Sequence, residues 1–151
     1  MTLRPNLDDQ LCFALYAATN MITRAYRPLL DEIGLTYPQY LLLLVLWQDG
    51  DCTSGHIAKR LNLAPNAITP LVDRLVTAGF VDRVRDENDR RVVNIGLTGA
   101  GRALEQRIAQ VQGSVACQTG MSPAEVADLR NELVALVRRM AATQATTGTA
   151  A

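Results

Sequence analysis

The sequence has few of the residues from which metal sites and disulfide frameworks are built. Its 151 residues include one histidine and three cysteines, Cys12, Cys52 and Cys117, which lie far apart and form no Cys-x-x-Cys pair. An odd number of scattered cysteines is not typical of a disulfide-rich secreted domain, and it offers no zinc-ligand spacing. We therefore expect no bound metal and no other cofactor.

Long apolar runs and a net charge are also missing. The longest apolar run, Leu41 to Trp47, is far too short to span a bilayer, and acids stand at positions 8 and 9, where a signal peptide would become apolar. These features predict a cytoplasmic protein with no membrane association. Basic and acidic residues number 15 each, so the whole chain lacks the positive charge of many isolated DNA-binding domains. A chain with equal numbers of basic and acidic residues can still carry local positive patches.

Hydrophobic residues make up 48% of the chain, enough for a core, and in its first third they recur at helical spacing. The pattern predicts a long helix over 7–33, with Asp8 and Asp9 in its first turn. Thr36 and Gln39 form a capping-box pattern that predicts the start of a second helix. The apolar run that follows has no polar face, so we expect this helix to be buried.

The middle of the chain reads as two short helices followed by a hairpin. The first helix is predicted over 53–62 and the second over 65–78, with a tight turn between them and proline at the second helix's first position. Apolar residues then alternate around a charged tip, over 80–97, which predicts a β-hairpin.

Two further helices are predicted in the C-terminal third. Thr98 caps one over 99–118, and a second capping box at Ser122 and Glu125 begins the other. The tail over 143–151, composed of alanine, threonine, glycine and glutamine, is expected to be disordered.

Function is indicated by the order of elements over 53–97: helix, turn, helix, charged hairpin. In such an arrangement the second helix lies in the DNA major groove, and the hairpin tip carries cations into the minor groove. The candidates for base or phosphate contact are Asn66, Thr69, Arg74, Arg90 and Arg91. Ordinary solvated side chains on a small helical domain are the alternative for this region.

The local charge is modest. Between His56 and Arg91 there are seven lysines and arginines against five acids, a balance of +2. Such a small excess suggests that two copies bind DNA together. The long flanking helices carry apolar stripes that the helix-turn-helix and the hairpin cannot cover. A second copy of the chain is the simplest partner for these stripes.

We therefore predict a mainly α protein with a small β-wing, a winged helix-turn-helix over 36–98, and a helical dimerisation region formed by 1–35 and 99–142. As a homodimer it would bind a pseudo-palindromic operator in double-stranded DNA.

The chain resembles the MarR family of bacterial regulators. Asp89-Arg90-Arg91 matches that family's Asp-x-Arg wing motif, and residues 97–102 resemble its Leu-Thr-x-x-Gly-Arg boundary. The resemblance implies a transcriptional repressor and not an enzyme, with Arg91 in the minor groove and Asp89 as its salt-bridge partner.

Within that family the first third is similar to the organic hydroperoxide-sensing repressors, over 7–18, 24–30 and 34–41. This likeness implies that Cys12 reacts with an organic hydroperoxide, the inducer, and that Tyr26 and Tyr37 hydrogen-bond its sulfur. It further implies that Cys117 of the partner subunit is the resolving cysteine. Cys52 has no implied role, and His56 is expected at the surface.

The residues themselves leave the sensor open. Cys12 lies near the start of the first predicted helix, where the helix dipole favours a thiolate, although Asp8 and Asp9 oppose it. Tyr26 is fourteen positions on, about 21 Å along a helix, so only Tyr26 of an antiparallel partner can reach Cys12. A buried structural cysteine with packing tyrosines is the alternative.

Two rival functions are also compatible with the sequence. One is a MarR-like regulator that responds to a small aromatic ligand; the other is a thiol-dependent peroxidase using Cys12 and Cys117, against which no activating arginine or threonine stands near Cys12. The reading half departs from the sensor family at residues 65–70 and at Asp73, where a basic residue is common.

Overall fold

The structure is a computed structural model that describes residues 6–147, apart from the side chains of 110–112, 146 and 147. The chain forms two compact units, one ending at Gln112 and the other beginning at Gly113. The helices are α1 (Leu11–Asp31), α2 (Tyr37–Asp49), α3 (Ser54–Leu61), α4 (Pro65–Thr77), α5 (Gly99–Gln118) and α6 (Pro123–Thr147); the strands are β1 (Cys52–Thr53), β2 (Val81–Arg85) and β3 (Val93–Leu97). The predicted mainly helical fold with a small wing is confirmed.

Helix α1 begins four residues later than predicted. Its first turn holds no acidic residue, so the expectation for Asp8 and Asp9 was wrong. Instead, Gln10 donates its backbone N–H to the carbonyl of Leu7 (3.1 Å), and the Asn6 amide donates to the Asp9 carboxylate (2.9 Å). Such local side-chain bonds give the backbone an alternative to the helix.

Helix α2 begins at the predicted capping box. The backbone N–H of Thr36 donates to the Gln39 side chain at 2.8 Å, and the Thr36 side chain accepts in return. The apolar run that follows is buried, with Leu42 and Leu43 wholly inaccessible to solvent. The prediction of a buried helix here is confirmed.

The predicted hairpin is part of a three-stranded antiparallel sheet with the order β1-β3-β2. Val81 pairs with Leu97 at one end of the hairpin, and Arg85 pairs with Val93 near the tip. The third strand, β1, pairs Cys52 with Ile95. The sequence did not predict β1 because two residues are too few to show an alternating pattern.

The core lies between α2, α3, α4 and the sheet. Its fully buried side chains include Leu46, Ile57, Ile68, Leu75 and Val81. This packing fixes α4 and the hairpin as one rigid body, since burial of each such side chain contributes about 1.5–3 kcal/mol.

The start of α5 is locked to the winged part of the first unit. Thr98 caps the helix by accepting the N–H of Gly101 at 3.1 Å, and its hydroxyl donates to the carbonyl of Gly79 at 2.6 Å. A Cβ on Gly101 would lie 2.1 Å from the carbonyl oxygen of Phe80. Only glycine therefore fits at this position, and its carbonyl also accepts the indole N–H of Trp47 (3.1 Å).

In the second unit, α6 begins at the predicted capping box. The backbone N–H of Ser122 donates to the Glu125 carboxylate at 2.8 Å, and the Glu125 N–H donates to the Ser122 hydroxyl at 3.3 Å. The helix continues to Thr147, so residues 143–147 are helical rather than disordered, since alanine favours helix. The remainder of the predicted tail, 148–151, lies outside the described residues. Among residues 6–147, no helix is both long and apolar enough to cross a membrane.

Candidate DNA-binding surface and thiol site

Helix α4 has one buried face and one exposed face. Ile68, Val72 and Leu75 are buried against the core. On the opposite face the predicted contact residues Asn66, Thr69 and Arg74 are exposed. The fold thus orients these three side chains outward on a helix that is held rigidly from behind.

Helix α3 is tied to the end of α2 by a charged cluster around Asp49. Its carboxylate accepts from Arg60 Nε and His56 Nε2, both at 2.7 Å. The hydrogen bonds from Arg60 and then His56 lower the pKa of Asp49 below its ordinary value. The sequence predicted His56 at the surface, and it is exposed, but its pairing with Asp49 was not foreseen because the partners are seven residues apart and on different helices.

The wing tip is shaped by two aspartates. Asp86 accepts the backbone N–H groups of Asn88 (2.8 Å) and Asp89 (3.0 Å), and these bonds lower the pKa of Asp86. Arg90 and Arg91 are exposed at the tip.

The predicted salt bridge of Asp89 is not formed in the described part of the chain. Asp89 instead accepts the backbone N–H of Arg91 at 3.0 Å. A local bond to the backbone orders fewer side-chain torsions than a guanidinium pair does at an exposed tip. Asp89 therefore fixes the turn and leaves the Arg91 side chain available.

A second ion pair joins α4 to the wing. The Arg83 guanidinium on β2 donates to the carboxylate of Asp73 on α4, and both side chains are exposed. The sequence showed Asp73 as an unusual acid but gave no sign of its partner, since the contact depends on how the wing packs beside α4.

The three thiols differ in their surroundings. Cys12, the second residue of α1, is exposed, and so is Cys117 near the end of α5 in the second unit. Cys52 is partly buried against the core, and burial, with Asp49 and Asp51 nearby, raises its thiol pKa. Since the thiolate is the nucleophile, Cys52 is the poorer candidate for reaction.

Tyr26 and Tyr37 are brought together, with Tyr40 beside them. The ring centroids of Tyr26 and Tyr37 are 5.2 Å apart, and Tyr40 lies 5.5 Å and 5.8 Å from them. Burial, and then the neighbouring Tyr26, raise the pKa of Tyr37, so its hydroxyl stays protonated and able to donate. Cys12 is near the other end of α1, and within the described residues no hydrogen bond joins it to Tyr26 or Tyr37.

A cavity of about 630 Å³ lies beside this cluster, between α1 and the start of α2. Its lining combines the cations Arg24 and Arg27 and the acid Asp31 with hydroxyl groups, among them those of Thr23, Thr36 and Tyr37. It is large enough for a small organic molecule. No group of three or more potential metal ligands occurs among the residues described.

A helix-turn-helix with an exposed outer face, followed by a two-stranded wing with an arginine-bearing tip, defines a winged helix DNA-binding protein. A model of the MarR family matches residues 35–93. The chain is 44% identical over 135 residues to the HTH-type transcriptional regulator TtmR of Methylorubrum extorquens, covering 85% of this chain and 69% of that protein. It is 35% identical over 134 residues to the organic hydroperoxide resistance transcriptional regulator of Bacillus subtilis, covering 89% and 91%. The chain therefore belongs to the MarR family and is a transcriptional regulator, not an enzyme.

Solved structures agree with this assignment. Reduced AbfR bound to DNA matches with a TM-score of 0.71 and 30% identity over 89% of this chain and 94% of that one, and AbfR is from Staphylococcus epidermidis. Disulfide-formed AbfR matches with a TM-score of 0.59 and 29% identity, over 91% of each chain. CouR of Rhodococcus jostii, bound to p-coumaroyl-CoA, matches with a TM-score of 0.74 and 27% identity over 88% and 95%.

Proposed function

We propose that this protein is a cytoplasmic repressor that binds operator DNA when reduced and releases it when an organic hydroperoxide oxidises Cys12. The observation that carries the proposal is that Cys12 is exposed at the start of α1, far along the helix from the packed pair of Tyr26 and Tyr37, which forms where α1 meets the start of α2. Cys12 is thus open to a peroxide and can reach such tyrosines only in a partner subunit. The name of the Bacillus relative, which refers to organic hydroperoxide resistance, supports this inducer.

The protein acts as a homodimer in this proposal. Helix α1 exposes Leu11, Phe13, Tyr16, Met21 and Ile22, a large apolar area for a helix surface. Packing one face of α1 against a second α1 in antiparallel orientation brings Cys12 of one chain to the tyrosines of the partner subunit. Residues 1–35 and 99–142 thus supply dimerisation, and 36–98 read DNA.

The first chemical step forms a sulfenic acid. The Cys12 thiolate attacks the terminal oxygen of the hydroperoxide, the O–O bond breaks, and the alkoxide leaves and takes up a proton to become an alcohol. The sulfur is oxidised and the peroxide is reduced by two electrons. The hydroxyls of Tyr26 and Tyr37 stabilise the thiolate by donating hydrogen bonds to it.

The second step forms an intersubunit disulfide. The thiol of Cys117 of the partner subunit attacks the Cys12 sulfenic sulfur, and water leaves. Disulfide geometry requires the two Cα atoms to come within about 7 Å. The resulting helix movement changes the spacing of the two DNA-binding regions of the dimer, so they no longer fit one face of the operator. A cellular thiol reverses the reaction.

DNA binding uses both grooves. In this proposal Asn66 and Thr69 contact base edges in the major groove, Arg74 contacts phosphate, and Arg90 and Arg91 enter the minor groove. Two-fold symmetry makes the operator pseudo-palindromic.

The experiment is fluorescence anisotropy of the promoter upstream of the protein's own gene, before and after one equivalent of cumene hydroperoxide. We expect the wild type to release the DNA and a thiol reductant to restore binding. Cys12→Ser should remain bound, while Cys52→Ser, the matched control, should respond like the wild type. Binding that persists in the oxidant-treated wild type would contradict peroxide sensing.

Regulation by a small aromatic ligand is the second candidate, favoured by the cavity of about 630 Å³. CouR is a family neighbour solved with a bound p-coumaroyl-CoA. In that case Cys12→Ser would keep the full response to the inducer, and Arg27→Gln in the cavity wall would weaken it.

A further inference from the structure

The ion pair between Asp73 and Arg83 lies on the surface assigned to DNA. Asp73 is on the exposed face of α4, four residues after Thr69 and seven after Asn66, so the three side chains share one face of the helix. A carboxylate there would meet the negative DNA backbone or the base edges at close range. Such a charge opposes binding unless a cation compensates it.

Arg83 supplies that compensation. It shares a face of β2 with the buried Val81, which directs its side chain toward α4, and its guanidinium donates to the Asp73 carboxylate. Arg85, two residues on, shares the same face of the strand and has no ion pair within the described contacts. Arg83 is therefore the wing-strand cation that is held by the protein itself.

The pair changes the local count of cations available to DNA. Of the seven lysines and arginines between His56 and Arg91, Arg60 is bound to Asp49 and Arg83 to Asp73. Within the described part of the chain, the remaining five have no ion pair: Lys59, Arg74, Arg85, Arg90 and Arg91. Nonspecific affinity depends steeply on the number of phosphate contacts, so removing one cation per subunit has a measurable effect.

We propose that Asp73 is a specificity-determining residue that restrains sequence-independent DNA binding by holding Arg83 away from phosphate. The proposal rests on the DNA-binding role of α4 and the wing, and it is independent of the cysteine chemistry. By keeping nonspecific affinity low, Asp73 leaves discrimination to the base contacts of α4. It acts by withholding a cation, so its removal should strengthen binding.

The test uses the reduced full-length protein and two duplexes of equal length, one from its own promoter and one of random sequence. Anisotropy is measured over a range of salt concentrations for the wild type, Asp73→Asn and the double variant Asp73→Asn/Arg83→Gln. Asp73→Asn should bind the random duplex about three- to tenfold more tightly at 0.15 M salt. Its plot of log affinity against log salt should steepen by about one unit per subunit.

The double variant distinguishes a released Arg83 from the mere loss of a negative charge. With Arg83→Gln added, the salt slope should return to the wild-type value. The preference for promoter over random duplex should fall in Asp73→Asn, because the gain is independent of sequence. Thermal unfolding of each variant serves as a folding control, since both side chains are exposed.

Three results would overturn the proposal. Weaker binding by Asp73→Asn to both duplexes would mean that Asp73 positions Arg83 for DNA. Weaker binding to the promoter alone, with an unchanged slope, would make Asp73 a direct base contact. Failure of the wild type to bind either duplex would remove the DNA-binding premise as well, whereas a wild type that binds but ignores peroxide would contradict only the sensing proposal.

Discussion

The winged part of the first unit and the flanking helices differ in how far a single chain buries their apolar side chains. From Leu35 to Ile95 the apolar side chains of α2, α3, α4 and the sheet bury one another, and several have no exposed surface. By contrast, α6 leaves an apolar stripe exposed in the described structure, consisting of Leu129, Leu133, Val137 and Met140. The first half of α1 also leaves apolar side chains exposed.

The two functions therefore depend on different levels of organisation. The reading surface is built by one chain, because the core behind α4 fixes its outward side chains. The proposed sensor is completed only by a second chain, since Cys12 lies at the start of α1 and the tyrosine pair lies where the C-terminal part of α1 meets the start of α2.

Gly101→Ala should cause the largest loss, because it disrupts the close packing of the start of α5 against the self-contained core. The new Cβ would lie 2.1 Å from the Phe80 carbonyl oxygen, and backbone must move to admit it. We expect the free energy of unfolding to fall by about 3 kcal/mol. Urea denaturation measures this, with Gly113→Ala as the control because nothing lies within 4 Å of a Cβ there. Equal stability of the two variants would contradict the close-packed junction.

The sequence predicted the self-contained part well because its signals are local. The Thr36 and Gln39 capping box, proline at the start of α4 and the Thr98 cap each bond within a few residues, and each is found as predicted. The two-residue β1 had no local signal, since it exists only through pairing with β3.

The site was less predictable wherever it depended on contacts distant in sequence. The ion pairs of Asp49 with Arg60 and of Asp73 with Arg83 join separate elements, and periodicity cannot reveal them. The resemblance to peroxide sensors selected Tyr26 and Tyr37, which are indeed neighbours, but their link to Cys12 is still a prediction because it requires two chains.

Leu133→Glu should disrupt the proposed homodimer. A carboxylate placed in the exposed stripe of α6 must be desolvated on dimerisation, and we expect the dimer dissociation constant to rise by about 100-fold. Analytical ultracentrifugation measures the assembly, and circular dichroism should show the helical content retained. Asn131→Glu, on another face of α6, is the control and should stay dimeric. Unchanged assembly in Leu133→Glu would separate this stripe from the dimer interface.

Tyr37→Phe should have an intermediate effect, confined to the sensor. The substitution keeps the ring packing against Tyr26 and removes a hydroxyl proposed to donate to the Cys12 thiolate. Loss of one bond to a charged group predicts an oxidation rate about tenfold lower. Stopped-flow thiol consumption measures the rate, with Cys52→Ser as the control because Cys52 is partly buried against the core and outside the ring cluster. Equal rates in both variants would remove Tyr37 from the sensor, while operator affinity of the reduced protein should be unchanged in either case.

Asp49→Asn should produce the smallest change, and it tests whether the reading half is stabilised by charge as well as by packing. The hydrogen bonds from Arg60 and His56 lower the pKa of Asp49 in the folded state. A carboxyl with a lowered folded pKa stabilises the protein at pH values above its unfolded pKa, and this contribution is lost as the pH falls through the folded value. The wild-type melting temperature should therefore fall more steeply than that of Asp49→Asn between about pH 5 and pH 2. Asp82→Asn, at an exposed strand position with no ion pair among the described contacts, is the control and should follow the wild type. Parallel curves of melting temperature against pH for wild type and Asp49→Asn would mean that apolar packing alone holds α3 to α2. The ionised Asp49 would then contribute nothing to the stability of the self-contained part.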